Sequence, residues 1–161
     1  MTGRDDGGRQ GFPFATREEM ENYLPYLLNR LARDWSALQT GALQKLGWTE
    51  AMMRIMSSLH AHGQMTVNEV AEISLIDQSS ASRVIESLVA EGVVVRRISE
   101  KDQRVRTVAL TAAGRRKLRE IAPTIDAMYA GFVAGLAPDE LRTCIDVLRK
   151  LEARRAPGAQ G

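Results

Sequence analysis

Two runs of β-branched residues, Val93–Ile98 and Val105–Leu110, interrupt a chain that otherwise repeats at helical spacing. They constrain the fold more than any other feature. Val, Ile and Thr lose rotamer freedom in a helix and pack well on a pleated surface. Polar residues Ser99 to Arg104 separate the runs, so the pair predicts a β-hairpin with a long, charged tip. A single hairpin among helices is too small to carry a sheet core. The fold class expected is therefore mainly α with a small β-hairpin.

The helical segments around it carry clear start and stop signals. Thr16-Arg17-Glu18-Glu19 has the spacing of a capping box. The helix it opens should reach about Gln39, through Met20, Tyr23, Leu24, Leu27, Leu28, Leu31, Trp35 and Leu38. Pro25 predicts a kink, or a restart with Pro25 in a first turn. Thr49 caps a second helix, with Met52, Ile55, Met56 and Leu59 on one face and Gly63 near its end. Thr66-Val67-Asn68-Glu69 is a second capping box and opens a short helix. Asp77 caps a helix running to about Glu91, with Gly92 suited to the left-handed position that ends it. Beyond the hairpin, helices are expected over 112–133 and 138–154, with Pro123 kinking or dividing the first. Two helices joined by a short turn and followed by a hairpin form a winged helix-turn-helix.

At about 100° per residue, the helix after Asp77 turns Ala81, Val84, Ile85, Leu88 and Val89 to one side. Ser79, Arg83, Glu86, Ser87 and Ala90 fall on the other, with Gln78, Ser80 and Ser82 flanking the first turns. The exposed first half thus carries Gln, Ser and Arg and no large apolar group. Those side chains suit base edges: Arg to guanine and Gln to adenine through paired hydrogen bonds, Ser to a base or a phosphate. An amphipathic surface helix would show the same polar face. Charge adds to the first reading. Between Arg83 and Arg119 stand ten Lys and Arg against four Asp and Glu, on a chain whose total is only +2. A local basic stripe is what a phosphate-contacting face requires.

Asp77 to Val94 resembles the recognition helix and wing of the MarR (multiple antibiotic resistance regulator) family. Asp102-Gln103-Arg104 is similar to the family's Asp-x-Arg at the wing tip. Leu110-Thr111-Ala112-Ala113-Gly114 is similar to its Leu-Thr-x-x-Gly, and Leu136 to Leu141 to the opening of its last helix. The resemblance covers about 20–152 and implies a homodimeric DNA-binding transcription regulator, a repressor relieved by a small aromatic or carboxylated ligand. It implies DNA contacts from Gln78, Ser79, Ser80, Ser82, Arg83, Lys101, Arg104 and Arg106, with Arg104 in a minor groove and Asp102 holding the wing. It also implies one domain over 16–155: a DNA-binding lobe at about 45–112, dimerisation helices at 16–44 and 113–155, and disordered tails at 1–15 and 156–161.

Asp34 is the anomaly of the first long helix, a charge among apolar positions. It predicts an ion pair with Arg30 or across a dimer, or a polar wall of an effector pocket. Tyr23, Arg30, Trp35 and Trp48 are the other candidate pocket residues, and both tryptophans equally suit a core. Cys144, on the apolar face of the last helix, reads as a buried, inert thiol. His60 and His62 diverge on their helix and form no metal pair, so no metal or cofactor is called for.

Other function classes fare poorly. There is no nucleophile elbow, phosphate loop or metal-ligand cluster, so an enzyme is not expected. A winged-helix protein–protein module without DNA binding is the alternative, and the basic hairpin argues against it. No apolar run approaches the roughly 18–20 residues of a membrane span. No basic and apolar leader opens the chain, and one cysteine suits a reducing cytoplasm.

Overall fold

In the computed structural model the described residues are 12–98 and 105–154. The elements run α1 (Arg17–Glu21), α2 (Leu24–Gln44), α3 (Glu50–His62), β1 (Met65–Thr66), α4 (Val67–Ile73), α5 (Gln78–Ala90), β2 (Val94–Ile98), β3 (Arg106–Leu110), α6 (Ala112–Phe132) and α7 (Pro138–Glu152). The fold is mostly helical with a small antiparallel sheet, as expected. The chain divides into two compact units inside α6, between Ala122 and Pro123.

In the first unit, Thr16 caps α1 and the chain restarts at α2 with Pro25 in the first turn. Pro25 therefore separates two helices rather than bending one. Helix α2 continues past Gln39 to Gln44, because the first terminating glycine is Gly47, at φ 71°. Leu43, Ile55, Met56, Leu59, Val70, Ile85, Leu88, Val94 and Val108 are fully buried. They come from α2, α3, α4, α5, β2 and β3, so one core is shared by these six elements. Each such side chain contributes about 1.5–3 kcal/mol on leaving water.

The sheet has the order β1-β3-β2, all antiparallel. Strands β2 and β3 pair from Val94 with Leu110 to Ile98 with Arg106. Val93 stays out of the ladder because its N–H donates to the Leu88 carbonyl at 3.1 Å, closing the turn after α5. The two-residue β1 was not predicted. Met65 pairs with Val108 and Thr66 with Thr107, and Thr66 also caps α4. Gln64 Nε2 donates to Thr107 Oγ1 at 2.7 Å, and that hydroxyl donates to the Arg97 carbonyl at 3.3 Å. The hairpin base is thereby tied to the segment between α3 and α4.

Helix α6 begins where the lobe is tightest. Thr111 Oγ1 donates to the carbonyls of Gly92 (2.8 Å) and Val93 (3.2 Å) and accepts from Gly114 N–H at 3.1 Å. A Cβ on Gly114 would lie 2.1 Å from the Val93 oxygen and 3.1 Å from Leu110 Cδ2. This gives Leu-Thr-x-x-Gly its physical reason: Thr caps the helix, and only Gly lets it approach the hairpin.

Pro123 does not divide α6, contrary to one of the two expectations for it. The carbonyl it leaves without an intrahelical donor belongs to Arg119, an exposed residue. The second unit turns through Gly135, at φ 91°, into α7, where Glu140 accepts from Ala137 N–H at 2.8 Å. No α7 residue is buried, and Ile145, Val147, Leu148 and Leu151 are exposed. Cys144 is exposed too, which corrects the expected buried thiol: among the described residues the apolar face of α7 is left open. Among the described residues no helix is long and apolar enough to cross a membrane.

Gly114→Ala should lower unfolding stability by about 1–3 kcal/mol, because the new methyl meets backbone that cannot move aside. Gly41→Ala, in open space within α2, should instead raise it by about 0.5–1 kcal/mol. Urea denaturation of both variants against the parent checks the pair.

Candidate nucleic-acid interface

Helices α4 and α5 are joined by a turn whose geometry the backbone sets. Leu75 N–H donates to the Glu72 carbonyl at 3.1 Å and Ile76 N–H to the Ala71 carbonyl at 3.0 Å. That double closure needs a left-handed residue between them, and Leu75 supplies it at φ 54° while 79% exposed. A non-glycine residue there costs about 1–2 kcal/mol. The turn delivers Asp77 to the head of α5.

Asp77 organises the first turn of α5. Its Oδ1 accepts from Ser80 N–H at 2.8 Å and from Ser79 Oγ at 2.6 Å. The Ser79 hydroxyl first, then the Ser80 N–H and hydroxyl, hold its carboxyl well below the usual range; the nearby Arg83 charge adds to this and desolvation opposes it. Arg83 Nη2 in turn donates to Ser80 Oγ at 3.2 Å. Gln78 Nε2 donates to Asn68 Oδ1 of α4 at 2.7 Å. Gln78, Ser79 and Arg83 are exposed, while Ser80 and Ser82 are half-buried. The predicted outer face of α5 is thus formed, with Asp77, Ser79, Ser80 and Arg83 hydrogen-bonded to one another and Gln78 to α4.

The hairpin adds charge beside it. Arg96 Nη2 pairs with Glu86 Oε1 at 3.4 Å, linking β2 to the outer face of α5. Arg96, Arg97, Ile98 and Arg106 line a shallow cleft of about 280 Å³. Arg106 was predicted as a contact. Arg96 and Arg97 were counted in the basic stripe but passed over as strand residues. Strand alternation with Val94 buried was a signal for Arg97 alone; Arg96 shares the Val94 face and is exposed because the far half of β2, Arg96 to Ile98, lies beyond the buried core. Lys101, Asp102 and Arg104 lie outside the described residues.

The five candidate effector residues are not brought together. Asp34 is exposed and pairs with Arg33 at 3.3 Å rather than with Arg30, correcting the expected pair. An Arg four residues before an Asp is the weaker order on a helix, so the adjacent Arg33 competes successfully. Tyr23 packs on Phe14, with ring centroids 5.1 Å apart. Arg30 is exposed and Trp35 half-buried on α2. Trp48 alone lines a groove of about 590 Å³, with Ser36, Thr40 and Gln44 of α2, Thr49, Glu50, Ala51 and Arg54 at the start of α3, and Ile76. Glu50 accepts from Ser36 Oγ at 2.8 Å and from Arg54 Nη2. Lys117 Nζ sits 5.4 Å from the Trp48 ring centroid and pairs with Glu91 at 2.7 Å. Among the described residues no group of three His, Cys, Asp or Glu could hold a metal ion.

A family model described as MarR family matches residues 48–105, from the start of α3 to the hairpin. The HTH-type transcriptional repressor MdtR of Bacillus subtilis is 27% identical over 110 residues, 68% of this chain and 71% of its own. A MarR family transcriptional regulator from Silicibacter pomeroyi is 41% identical, with a TM-score of 0.83 over 88% of this chain and 95% of that one. Bordetella bronchiseptica BpsR, whose DNA binding is regulated by 6-hydroxynicotinic acid, is 25% identical, with a TM-score of 0.72 over 82% of this chain and 94% of its own.

Asp77→Ala should destabilise the fold at neutral pH by removing the α5 cap. The folded-state carboxyl titrates below its ordinary value of 3.8, so the contribution is complete above that value and fades as pH falls through the depressed one. Denaturant midpoints of parent and variant should therefore differ by a constant amount from pH 7 down to about pH 4, the ordinary carboxylate value, and begin to converge only below it.

Proposed function

The chain belongs to the MarR family of DNA-binding transcription regulators, and we propose that it is a homodimeric repressor released from its operator by a small ligand. Helix α5 enters the major groove, with Gln78, Ser79, Ser80, Ser82 and Arg83 at or near base edges and backbone. The hairpin lies along phosphates, contacted by Arg106, Arg96 and Arg97, and the family resemblance adds Lys101 and Arg104 to these contacts. The observation that carries this reading is the Arg96–Glu86 contact, which sets an arginine cluster beside the polar face of α5.

Two copies explain the uncovered helices. Within α2, Leu24, Leu27, Leu28, Leu31 and Leu38 are each more than a third exposed, and α7 buries nothing. Monomeric proteins rarely leave such stripes open to water. A two-fold dimer reads a pseudo-palindrome with half-sites about one helical turn apart. The resemblance to MdtR, named a transcriptional repressor, supports repression.

The ligand reading rests on the Trp48 groove and on the similarity to BpsR. An aromatic ring suits the Trp48 and Ile76 walls, and a carboxylate suits Arg54 in competition with Glu50. A ligand acts only through different affinities for the DNA-competent and DNA-incompetent arrangements.

Fluorescence anisotropy with duplex from upstream of the chain's own gene, beside scrambled duplex over a salt series, tests the DNA reading. Binding should weaken steeply with salt and prefer the native duplex by about 4–10 kcal/mol. Arg83→Ala should lose about 1–3 kcal/mol of that preference. Arg106→Ala should weaken both duplexes alike and reduce the salt slope by about 1. Equal binding of the two duplexes by the parent would sink the operator reading.

Aromatic carboxylates, 6-hydroxynicotinic acid among them, should displace the operator and change tryptophan emission. Arg54→Ala should weaken the active compound about 10-fold or more, as expected for a lost charged hydrogen bond. An unchanged displacement curve in that variant places the ligand elsewhere.

A further inference from the structure

The most informative contact outside the outer face of α5 is the one from α4 to its first residue. Gln78 Nε2 donates to Asn68 Oδ1 at 2.7 Å, and both side chains are exposed. Asn68 stands in the first turn of α4, next to the Thr66–Glu69 capping box, which fixes that turn at both ends. Gln78 opens α5 immediately after its Asp77 cap. The bond therefore joins two anchored helix starts through two otherwise mobile amides.

We propose that Asn68 is a positioning residue for base recognition: it orients the Gln78 amide so that it reads adenine. This rests on the assignment of α5 as the recognition helix. A primary amide has two N–H donors and one carbonyl acceptor. Asn68 takes one donor. The remaining N–H and the carbonyl oxygen are the pair that adenine N7 and N6–H require in the major groove. The same bond sets which end of the amide faces α4. A free glutamine loses rotamer freedom on meeting a base; one already held loses less, and affinity for the matching base rises by the difference. Asn68 therefore acts on the preference at one base pair and not on general DNA affinity, since it carries no charge to place against phosphate.

The test measures binding of the full chain to operator duplexes substituted at each base pair in turn. The proteins are the parent, Gln78→Ala, Asn68→Ala, Asn68→Asp and the double variant. Gln78→Ala should lose discrimination at one A·T pair per half-site. Asn68→Ala should reduce discrimination at that same pair by about 2- to 10-fold, the range for freeing one side chain, and leave the other positions unchanged. The double variant should match Gln78→Ala there. Asn68→Asp keeps an acceptor for Gln78 Nε2, so it should retain the preference, while its charge weakens all duplexes together. Thermal melting of each variant confirms that it folds.

Loss in Asn68→Ala that is equal at all positions overturns the inference, as does additivity of the two alanine variants at the A·T pair. If Gln78→Ala itself changes no base preference, the assignment of Gln78 as a base reader fails first. That result is separable from the others, because it does not depend on Asn68.

Discussion

The Val93 carbonyl is the point on which the DNA-binding lobe closes. It accepts from the Thr111 N–H at 3.1 Å and from the Thr111 hydroxyl at 3.2 Å. It also faces the bare Cα of Gly114. The end of α5, the start of β2, the end of β3 and the start of α6 meet there. Any side chain at 114 would force them apart. The spacing between recognition helix and hairpin is thus set by backbone contact rather than by flexible side chains. Backbone contact is the stiffer of the two, which is what the proposed placement of α5 in a groove with the hairpin beside it requires.

A second constraint repeats at both ends of the helix pair. Helices α4 and α5 each finish with the same double closure around a left-handed residue. After α5 that residue is Gly92, and the sequence announced it. After α4 it is Leu75, and nothing in the sequence did, because a leucine is the last residue expected at φ 54°. Packing of α4 and α5 around Val70, Ala81 and Ile85 outweighs the local cost. The same logic explains the other gaps. Strand β1 is two residues long and has no periodicity to detect, so it exists only because β3 lies beside it. The Thr16 and Thr66 caps, the hairpin and the polar face of α5 were legible because each is decided within a few residues, although Glu19 closes on the Ala15 N–H and not on that of Thr16, so of these two only the Thr66 box is complete. The partner of Asp34, the exposure of Cys144 and the membership of the Trp48 groove are decided by which surfaces meet, and spacing along one helix does not contain that.

The polar groups at the head of α5 are arranged in series. Asp77 holds Ser79 and Ser80, Ser80 holds Arg83, and Asn68 holds Gln78. Exposed hydrogen bonds of this kind add little to folding stability, since water would serve each group nearly as well. Their consequence is in binding. Side chains that already share one geometry lose less freedom when they meet DNA. The hairpin arginines are a contrast, because among the described residues only Arg96 is paired with a carboxylate, Glu86, and that pair is exposed. Phosphate recognition tolerates such looseness because charge acts over a Debye length, about 8 Å at physiological salt, whereas base recognition does not.

Regulation places its own demand on this arrangement. A ligand in the groove between α2 and α3 influences DNA only if its binding energy differs between two dispositions of the reading elements. Trp48 satisfies the geometric part of that demand. Its indole is a wall of the groove and is 3% exposed, so it does not adjust independently of its neighbours. Lys117 rests over the ring and pairs with Glu91, the residue that caps the end of α5. A change in the indole's position would reach one end of α5 through this cation. The other end of that helix is held by Asp77 and Asn68. Because backbone contact locks that far end of α5 to the hairpin, such a displacement would tilt α5 and the hairpin as one body. In a two-fold assembly each such tilt is doubled across the axis, and half-site spacing is the quantity that a tilt would spoil.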